Sequence, residues 1–209
     1  MQSETDELLP TRWSLIERLK NWDDGESWRT FFDTYWKLIY GVAIKSGLTH
    51  AEAQDVVQET VVSVSRNMKD FKADPAFGSF KSWLLNLTRW RITDQVRKRG
   101  REVHPSAETG TDSRSTAFEN RVADPAGSAL DNIWEEEWER HVIEAALERV
   151  KRQADARHYQ DFYLNAIKQV PPEKVATSLG IKVDQVYLIK HRLAKVFDEA
   201  IRAVETHTP

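Results

Sequence analysis

Apolar residues recur every three or four positions along most of this 209-residue chain, and one long stretch interrupts the recurrence. Such spacing places apolar side chains on one face of an amphipathic α-helix. Residues 102–130 are instead rich in Ser, Thr, Asp, Pro and Gly and show no period, as is typical of linkers. The chain is therefore predicted to be all-α, with two small helical domains joined by a flexible acidic linker.

Helix boundaries follow from capping residues and helix breakers. Thr49 and Glu52 have the spacing of a capping box, and Gly47 is a plausible end for the helix before it. The predicted helices before the linker are residues 12–22, 28–44, one that begins after Thr49, and one that begins near residues 78–79 and ends before Gly100. Helical spacing resumes near Ile133 and continues to about residue 204, where Pro171, Pro172 and Gly180 divide it into short helices. The predicted divisions are residues 1–24 as an N-terminal segment, 25–101 as the first domain, 102–131 as the linker and 132–205 as the second domain.

Charge follows the same division although the net charge is only −3. Residues 80–101 hold seven basic residues and one acid, whereas residues 102–137 hold nine acids and two basic residues. A basic helix followed by an acidic tether favours nucleic-acid binding by the helix. The alternative, a solvated helix end beside a polar loop, stays open on charge alone.

Composition excludes several classes of protein. The chain has no cysteine, which removes disulfides, thiol catalysis and Cys-based zinc sites. No apolar run approaches the roughly 20 residues that span a bilayer, and the acidic N-terminus has no apolar core of a signal peptide. We therefore expect a cytoplasmic protein without membrane insertion.

Aromatic and basic residues share the helix at residues 80–101. Cations there neutralise phosphates, and the rings of Trp83 and Trp90 are suited to stacking on unpaired bases. Arg89 and Arg91 flank Trp90, but successive helix residues point about 100° apart, so one of the two serves another partner. An ion pair between Arg91 and Asp94 is the expected arrangement.

Residues 175–186 have the pattern of a helix-turn-helix. A short helix, a turn at Gly180 and a second helix with Val183, Val186 and Leu193 facing inward predict this motif rather than an ordinary helical hairpin. The second helix carries polar side chains suited to major-groove edges and phosphates. These candidate DNA-binding residues are Gln185, Tyr187, Lys190, His191, Arg192 and Lys195.

Asp55 and Glu59 lie four apart on one helix face. A metal site would need His or further carboxylates at matching spacing, and Glu-x-x-His is absent, so a protein-binding face is favoured over a metal site. A solvated face stays open as the alternative on these residues alone. No phosphate-binding loop, His-Glu-x-x-His or Gly-x-Ser-x-Gly motif occurs. The chain is therefore not predicted to be an enzyme, and no cofactor is expected.

These constellations, in this order, resemble the sigma-70 family, and most closely its extracytoplasmic-function (ECF) type. Residues 55–60 resemble the family's D-x-x-Q-E stretch, residues 80–84 its F-x-x-W-L stretch and residues 93–99 the D-x-x-R ending of the same helix. Residues 173–196 resemble the domain that reads the minus-thirty-five element. The resemblance covers about residues 28–100 and 132–203.

The resemblance implies a sigma factor that directs RNA polymerase core to promoters and assists strand opening. The implied partners are the polymerase β′ clamp and β flap, promoter DNA and an anti-sigma factor. Residues 25–101 would be sigma region 2 and residues 132–205 sigma region 4. The implied polymerase-binding residues are Asp55, Gln58 and Glu59. The implied minus-ten DNA-binding residues are Lys81, Trp83, Arg89, Trp90, Arg97, Lys98 and Arg99, and the minus-thirty-five residues are the six of the second helix given above.

The sequence departs from the family pattern at three places. Trp90 stands where the family often has Asn, Lys182 where the recognition helix often begins after Ser or Thr, and Leu188-Ile189 where a Ser-Arg pair is common. Promoter sequence therefore does not follow from the resemblance. The alternatives are a stand-alone helix-turn-helix regulator that never joins polymerase, a helical metalloenzyme using Asp55 and Glu59, and a structural adaptor.

Overall fold

The computed structural model describes residues 13–71, 80–103 and 125–205. These ranges contain helices and connecting turns and no strand, which confirms the all-α prediction. The helices are α1 (Trp13–Arg18), α2 (Gly25–Lys45), α3 (His50–Asn67), α4 (Phe80–Val103), α5 (Pro125–Gln153), α6 (Ala156–Phe162), α7 (Pro172–Leu179) and α8 (Val183–Glu205). Within the described ranges, no helix is both long enough and apolar enough to cross a membrane.

The chain divides into two compact units. The first domain is Ser14–Glu139, and the second is built mainly from Arg140–Pro209. The predicted start of the second domain was residue 132, and the structure places it at Arg140, eight residues later and within α5. Trp134 and Trp138, which are four residues apart and both buried, belong to the first domain.

Local sequence determines how α2 ends and α3 begins. The backbone N–H of Leu48 donates to the carbonyl of Ala43 at 3.2 Å, across Gly47 with φ of 85°. This Schellman arrangement confirms Gly47 as the helix stop. The predicted capping box is also present, because the backbone N–H of Thr49 donates to Glu52 Oε2 at 2.7 Å and the Thr49 hydroxyl accepts from the Glu52 backbone at 3.4 Å.

The core of the first domain is formed by the apolar faces of α1 to α4. Its centre is aromatic: Phe31 and Tyr35 of α2 lie 6.4 and 5.5 Å, centroid to centroid, from the ring of Phe80 at the start of α4. All three rings are buried. Burial of this apolar area supplies the main stabilisation and fixes which face of α4 is left outward.

Two helix boundaries differ from the predictions. Helix α4 continues through Gly100 to Val103, since a glycine inside a helix costs only about 1 kcal/mol and need not end it. Helix α5 begins at Pro125 rather than near Ile133. Proline suits the first helical position, but the residues that follow it lack apolar periodicity and were assigned to the linker. The rest of the predicted linker, residues 104–124, lies outside the described residues.

The second domain contains the predicted helix-turn-helix. Helix α7 ends at Leu179 and is capped by Gly180, whose φ is 64°, and α8 follows. Val175, Ala176 and Val186 form the buried centre between these two helices. A second cluster, Val150, Phe162 and Leu193, joins α8 to the helices before it. Because these side chains occupy one face of α8, its opposite face is turned outward.

Between α6 and α7 the chain makes a π-helical turn, Tyr163–Ile167. The backbone N–H of Lys168 donates to the carbonyl of Tyr163 at 2.9 Å. Gln169 follows with φ of 55°, and the Asn165 amide donates to the carbonyl of Val170 at 2.9 Å. This local wrap brings the chain to Pro171 and Pro172, where α7 begins.

Candidate nucleic-acid and polymerase interfaces

The outer face of α3 carries the predicted polymerase-binding residues. Asp55 and Gln58 are exposed, and Val62, one turn further, is an exposed apolar residue that sequence analysis did not select. The spacing of the three places them on neighbouring turns of one helix face. This surface combines a carboxylate, an amide and an apolar side chain, which suits contact with another protein.

Glu59 differs from Asp55 and Gln58 because it is half-buried against α4. Its carboxylate oxygens lie 3.3 Å from Arg91 Nη1 and 3.1 Å from Lys98 Nζ. Glu59 therefore links α3 to α4. Any contact that it makes with a partner competes with these two cations.

The expected ion pair between Arg91 and Asp94 is wrong. Arg91 turns instead towards α3, where it binds Glu59, and its Nη2 lies 2.6 Å from the hydroxyl of the buried Ser63. The tertiary partner prevails because the Arg91 side chain is only 16% exposed, and a half-buried guanidinium requires nearby acceptors. Its guanidinium carbon also lies 4.3 Å from the ring centroid of Trp90, a cation–π contact.

Trp90 and Arg97 present the outward face of α4. Trp90 is 46% exposed, and Arg97, seven residues later on the same face, is exposed and makes no ion pair with any described residue. Asn86 lies one turn before Trp90 and is also exposed. A wide ring held by Arg91 beside a free cation is an arrangement that can stack on a base and neutralise a phosphate.

Trp83 is less available than Trp90. Its ring centroid lies 4.7 Å from that of Phe71 and 5.6 Å from that of Phe80, and the side chain is half-buried. Trp83 therefore forms the margin of the aromatic core. Its predicted contact with DNA stays a prediction.

The amino-terminal part of α5 covers two of the predicted DNA-binding cations. Arg89 forms an ion pair with Asp131, and Lys81 forms one with Glu135. The ammonium of Lys81 also lies 5.4 Å from the ring centroid of Trp138. Within the first domain, carboxylates thus occupy positions that phosphates would take at these cations.

A third lysine binds the same part of α5. Lys45, at the end of α2, lies 3.1 Å from Glu136 and 3.0 Å from Glu137, which is almost fully buried. These carboxylates raise the pKa of Lys45 by hydrogen bonding, with Glu137 the larger cause. The acidic run of three glutamates therefore holds α5 to the first domain as well as carrying charge.

Arg99 serves the α2–α3 turn. Its guanidinium binds the Glu52 carboxylate, with Nε at 2.9 Å from Oε1, and lies 3.4 Å from the carbonyl of Gly47. Hydrogen bonds from Arg99, and then from the backbone and hydroxyl of Thr49, lower the pKa of Glu52 from 4.5 to about 2. Lys98 is paired with Glu59, as described above. Of the three basic residues at 97–99, Lys98 and Arg99 therefore have internal ion pairs, and Arg97 has none with a described residue.

Helix α8 exposes all of its predicted DNA-binding side chains. Two of them have internal partners. Gln185 Oε1 accepts from the backbone N–H of Lys182 at 2.9 Å, which supplies half of a capping box where Lys182 cannot cap with its own side chain. Arg192 Nη2 lies 3.2 Å from Nδ1 of His158, which also forms an ion pair with Asp155 when protonated. Tyr187, Lys190, His191 and Lys195 make no side-chain hydrogen bond or ion pair to another described residue.

Sequence analysis did not select Leu188, which is 69% exposed on α8. The sequence spacing could have predicted that residue 188 points outward, because Val186 and Leu193 define the buried face of the helix. Leucine is more often a core residue, so residue type pointed the other way.

A metal site receives no support within the described ranges. No group of three His, Cys, Asp or Glu side chains there is arranged to hold a metal ion. Glu59, the central residue of that alternative, is paired with two cations.

Comparison with known proteins places the first domain in context. Residues 31–102 match the family model for sigma-70 region 2. This match confirms the resemblance of residues 55–60, 80–84 and 93–99, which all lie within it. Residues 173–196 lie outside the match, so their role stays a prediction. No curated protein sequence matches the chain.

A search of solved structures matched the chain to two sigma-factor complexes at low identity. One is CnrH in complex with the cytosolic domain of CnrY, at 16% identity, covering 96% of this chain and 99% of that chain with a TM-score of 0.35. The other is the sigma factor RpoE in complex with the anti-sigma factor NepR from Bartonella quintana, at 19% identity, covering 80% of this chain and 91% of that chain with a TM-score of 0.30. Both TM-scores are too low to show a shared arrangement of helices, and the region 2 match is the similarity that supports a function.

Proposed function

We propose that this chain, whose residues 31–102 match the family model for sigma-70 region 2, is an ECF-type sigma factor that directs RNA polymerase core to promoters. The match to region 2 over residues 31–102 is the observation that carries the proposal. A role in transcription initiation follows from that family. We further propose three steps from the geometry of each domain: polymerase docking, strand opening and minus-thirty-five recognition.

Docking on polymerase would use the outer face of α3. The side chains of Asp55 and Gln58 are exposed and make no hydrogen bond or ion pair with another described side chain. A partner could therefore bind them with little rearrangement of the domain. Val62 extends the same face with apolar area. The family resemblance assigns the β′ clamp to this face. Glu59 would contribute mainly by holding α3 against α4.

Strand opening would use the outward face of α4. An unpaired base stacked on Trp90 would gain about 1–3 kcal/mol, and Arg97 would neutralise the adjacent phosphate. Arg91 keeps the indole ring oriented through its contacts with Glu59 and Ser63. Because the open strands would bind this face better than the closed duplex, binding alone shifts the equilibrium towards opening. No covalent step is involved, and the chain is proposed not to be an enzyme.

Upstream recognition would use the second domain. Helix α8 would enter the major groove, with Lys190 and Lys195 near the phosphates that border it. The β flap is the polymerase element that the resemblance assigns to this domain. An anti-sigma factor and a cytoplasmic location complete the proposal, in keeping with the same resemblance.

The proposal is tested by run-off transcription with purified polymerase core and genomic fragments. The full-length chain should co-purify with core and support specific transcripts. Trp90→Ala should lose most activity on duplex promoters and recover it on a template with a pre-opened bubble. Trp22→Ala, which removes an exposed tryptophan outside α4, is the matched control and should behave as the wild type. A chain that binds promoter duplexes but ignores core would instead be the stand-alone regulator.

A further inference from the structure

We infer that Leu188 is a specificity-determining residue that packs against the 5-methyl group of a thymine in the major groove. The inference rests on the proposed function, since it requires α8 to lie in that groove. It concerns a residue that the family pattern does not supply, because Leu188-Ile189 replaces the polar pair that is common there. Two independent features of α8 lead to it.

The first feature is the direction of the side chain. Val186, Leu193 and Ala200 mark the buried side of α8. Leu188 is two residues after Val186 and five before Leu193. Because successive residues are about 100° apart, this position falls close to the side opposite the buried one. Leu188 therefore points away from the core, in the second turn of the helix, where recognition helices contact base edges.

The second feature is that a highly exposed apolar side chain lies close to basic side chains on the same helix. Leu188 is 69% exposed and Tyr187 beside it is 54% exposed. Arg192 and Lys195, four and seven residues after Leu188, are exposed cations on the same face, and Arg192 also contacts His158. Phosphates flank the major groove on both sides, so cations around an apolar centre are complementary to duplex DNA. Asp184, in the first turn, and Glu199, three turns beyond Leu188, are exposed acids on this face, and Asp184 is placed favourably for the helix dipole.

The chemistry of the groove then selects the base. Among base edges in the major groove, the thymine methyl is the apolar group, and the others are hydrogen-bond donors and acceptors. A leucine placed against a donor or acceptor would leave that group unpaired, at a cost in binding. Gln185, the nearby amide, has its carbonyl engaged by the Lys182 backbone, which leaves apolar contact as the main discrimination at this point of the helix.

The experiment uses the full-length chain, alone and assembled with polymerase core, to enrich duplexes from a pool with a randomised central cassette. The enriched duplex is then remade with each thymine replaced singly by deoxyuridine, which removes only the methyl group. The wild-type chain should lose about fourfold in affinity at one or two positions, as expected for one buried methyl group. Leu188→Ala should be insensitive to the same replacement, whereas Leu188→Met should retain the sensitivity.

Position 188 is exposed, and alanine and methionine are both good helix formers, so both variants should fold. Equal deoxyuridine sensitivity in the wild type and Leu188→Ala, or none in the wild type, would overturn the inference. So would a Leu188→Ala variant that loses core binding and keeps its DNA affinity, since Leu188 would then contact protein. Failure to enrich any duplex under either condition would instead count against the proposed function.

Discussion

Arg91 Nη1 lies 3.3 Å from a carboxylate oxygen of Glu59, a residue 32 positions earlier in the chain. The contact joins a residue predicted to bind polymerase to the helix predicted to bind promoter DNA. It means that Asp55 and Glu59, which look equivalent as two acids on one helix face, have different roles. The first is free to meet a partner, and the second holds the first domain together.

Asp55→Ala and Glu59→Ala are therefore expected to separate binding from stability. Asp55→Ala should weaken core binding and leave the free energy of unfolding within about 0.5 kcal/mol of the wild type, as for other exposed substitutions. Glu59→Ala should lower the unfolding free energy by about 1–2 kcal/mol because Arg91 loses its partner in a half-buried site. Denaturant unfolding and a pull-down with core measure the two effects. Equal stability of both variants would contradict this division.

Acid should weaken the contact between α4 and the α2–α3 turn. The pKa of Glu52 is lowered to about 2, chiefly by Arg99, so its contribution to stability is complete above its ordinary value of 4.5 and is lost as pH falls towards 2. Glu52→Gln should have a lower Tm than the wild type at pH 7, and the difference should shrink between pH 5 and pH 3. Asp33→Asn, an exposed carboxylate on α2, is the control and should show no such convergence.

Freeing the cations that α5 covers should strengthen binding to single-stranded DNA. The double variant Asp131→Asn, Glu135→Gln releases Arg89 and Lys81, and we expect affinity to rise about two- to fivefold at low ionic strength and less at high salt. Fluorescence anisotropy across a salt series measures this. Glu139→Gln with Glu144→Gln removes the same charge from the same helix at exposed residues without an ion pair among the described residues, so a matching rise there would attribute the effect to net charge alone.

The turn of the helix-turn-helix should depend on glycine. Gly180 has φ of 64°, and Gly180→Ala should lower the free energy of unfolding by about 1–2 kcal/mol because a Cβ disfavours that conformation. Gly180→Asn should cost less, since asparagine visits the left-handed region more readily. Steric conflict is a small part of the cost, because an added Cβ would meet one atom within 4 Å, Arg157 Nη2 at 3.8 Å. Variants of equal stability would show that the turn tolerates another conformation.

Much of the fold was predictable because it depends on neighbours in the chain. The stop at Gly47 and the capping box at Thr49 and Glu52 are formed within a few residues, so their sequence patterns have a direct structural meaning. The turn at Gly180 belongs with them. The apolar spacing likewise predicted which face of α8 would be buried.

The partners of the long charged side chains were not predictable in this way. Arg91 was assigned to Asp94 three residues away and binds Glu59, while Arg89 binds Asp131, 42 residues later in the chain. Which distant carboxylate a guanidinium reaches depends on how helices pack, and spacing along one helix does not encode that.

The sequence by itself determined the all-helical architecture, the helix-turn-helix and the sigma-70 pattern, because helical period, caps and motif order are properties of the chain. Only the tertiary structure decided that α5 begins within the supposed linker and extends the first domain to Glu139, with Trp134 buried in it. It also decided which cations stay outward. Burial and ion pairing between distant helices settle those questions, and both arise only once the helices have packed.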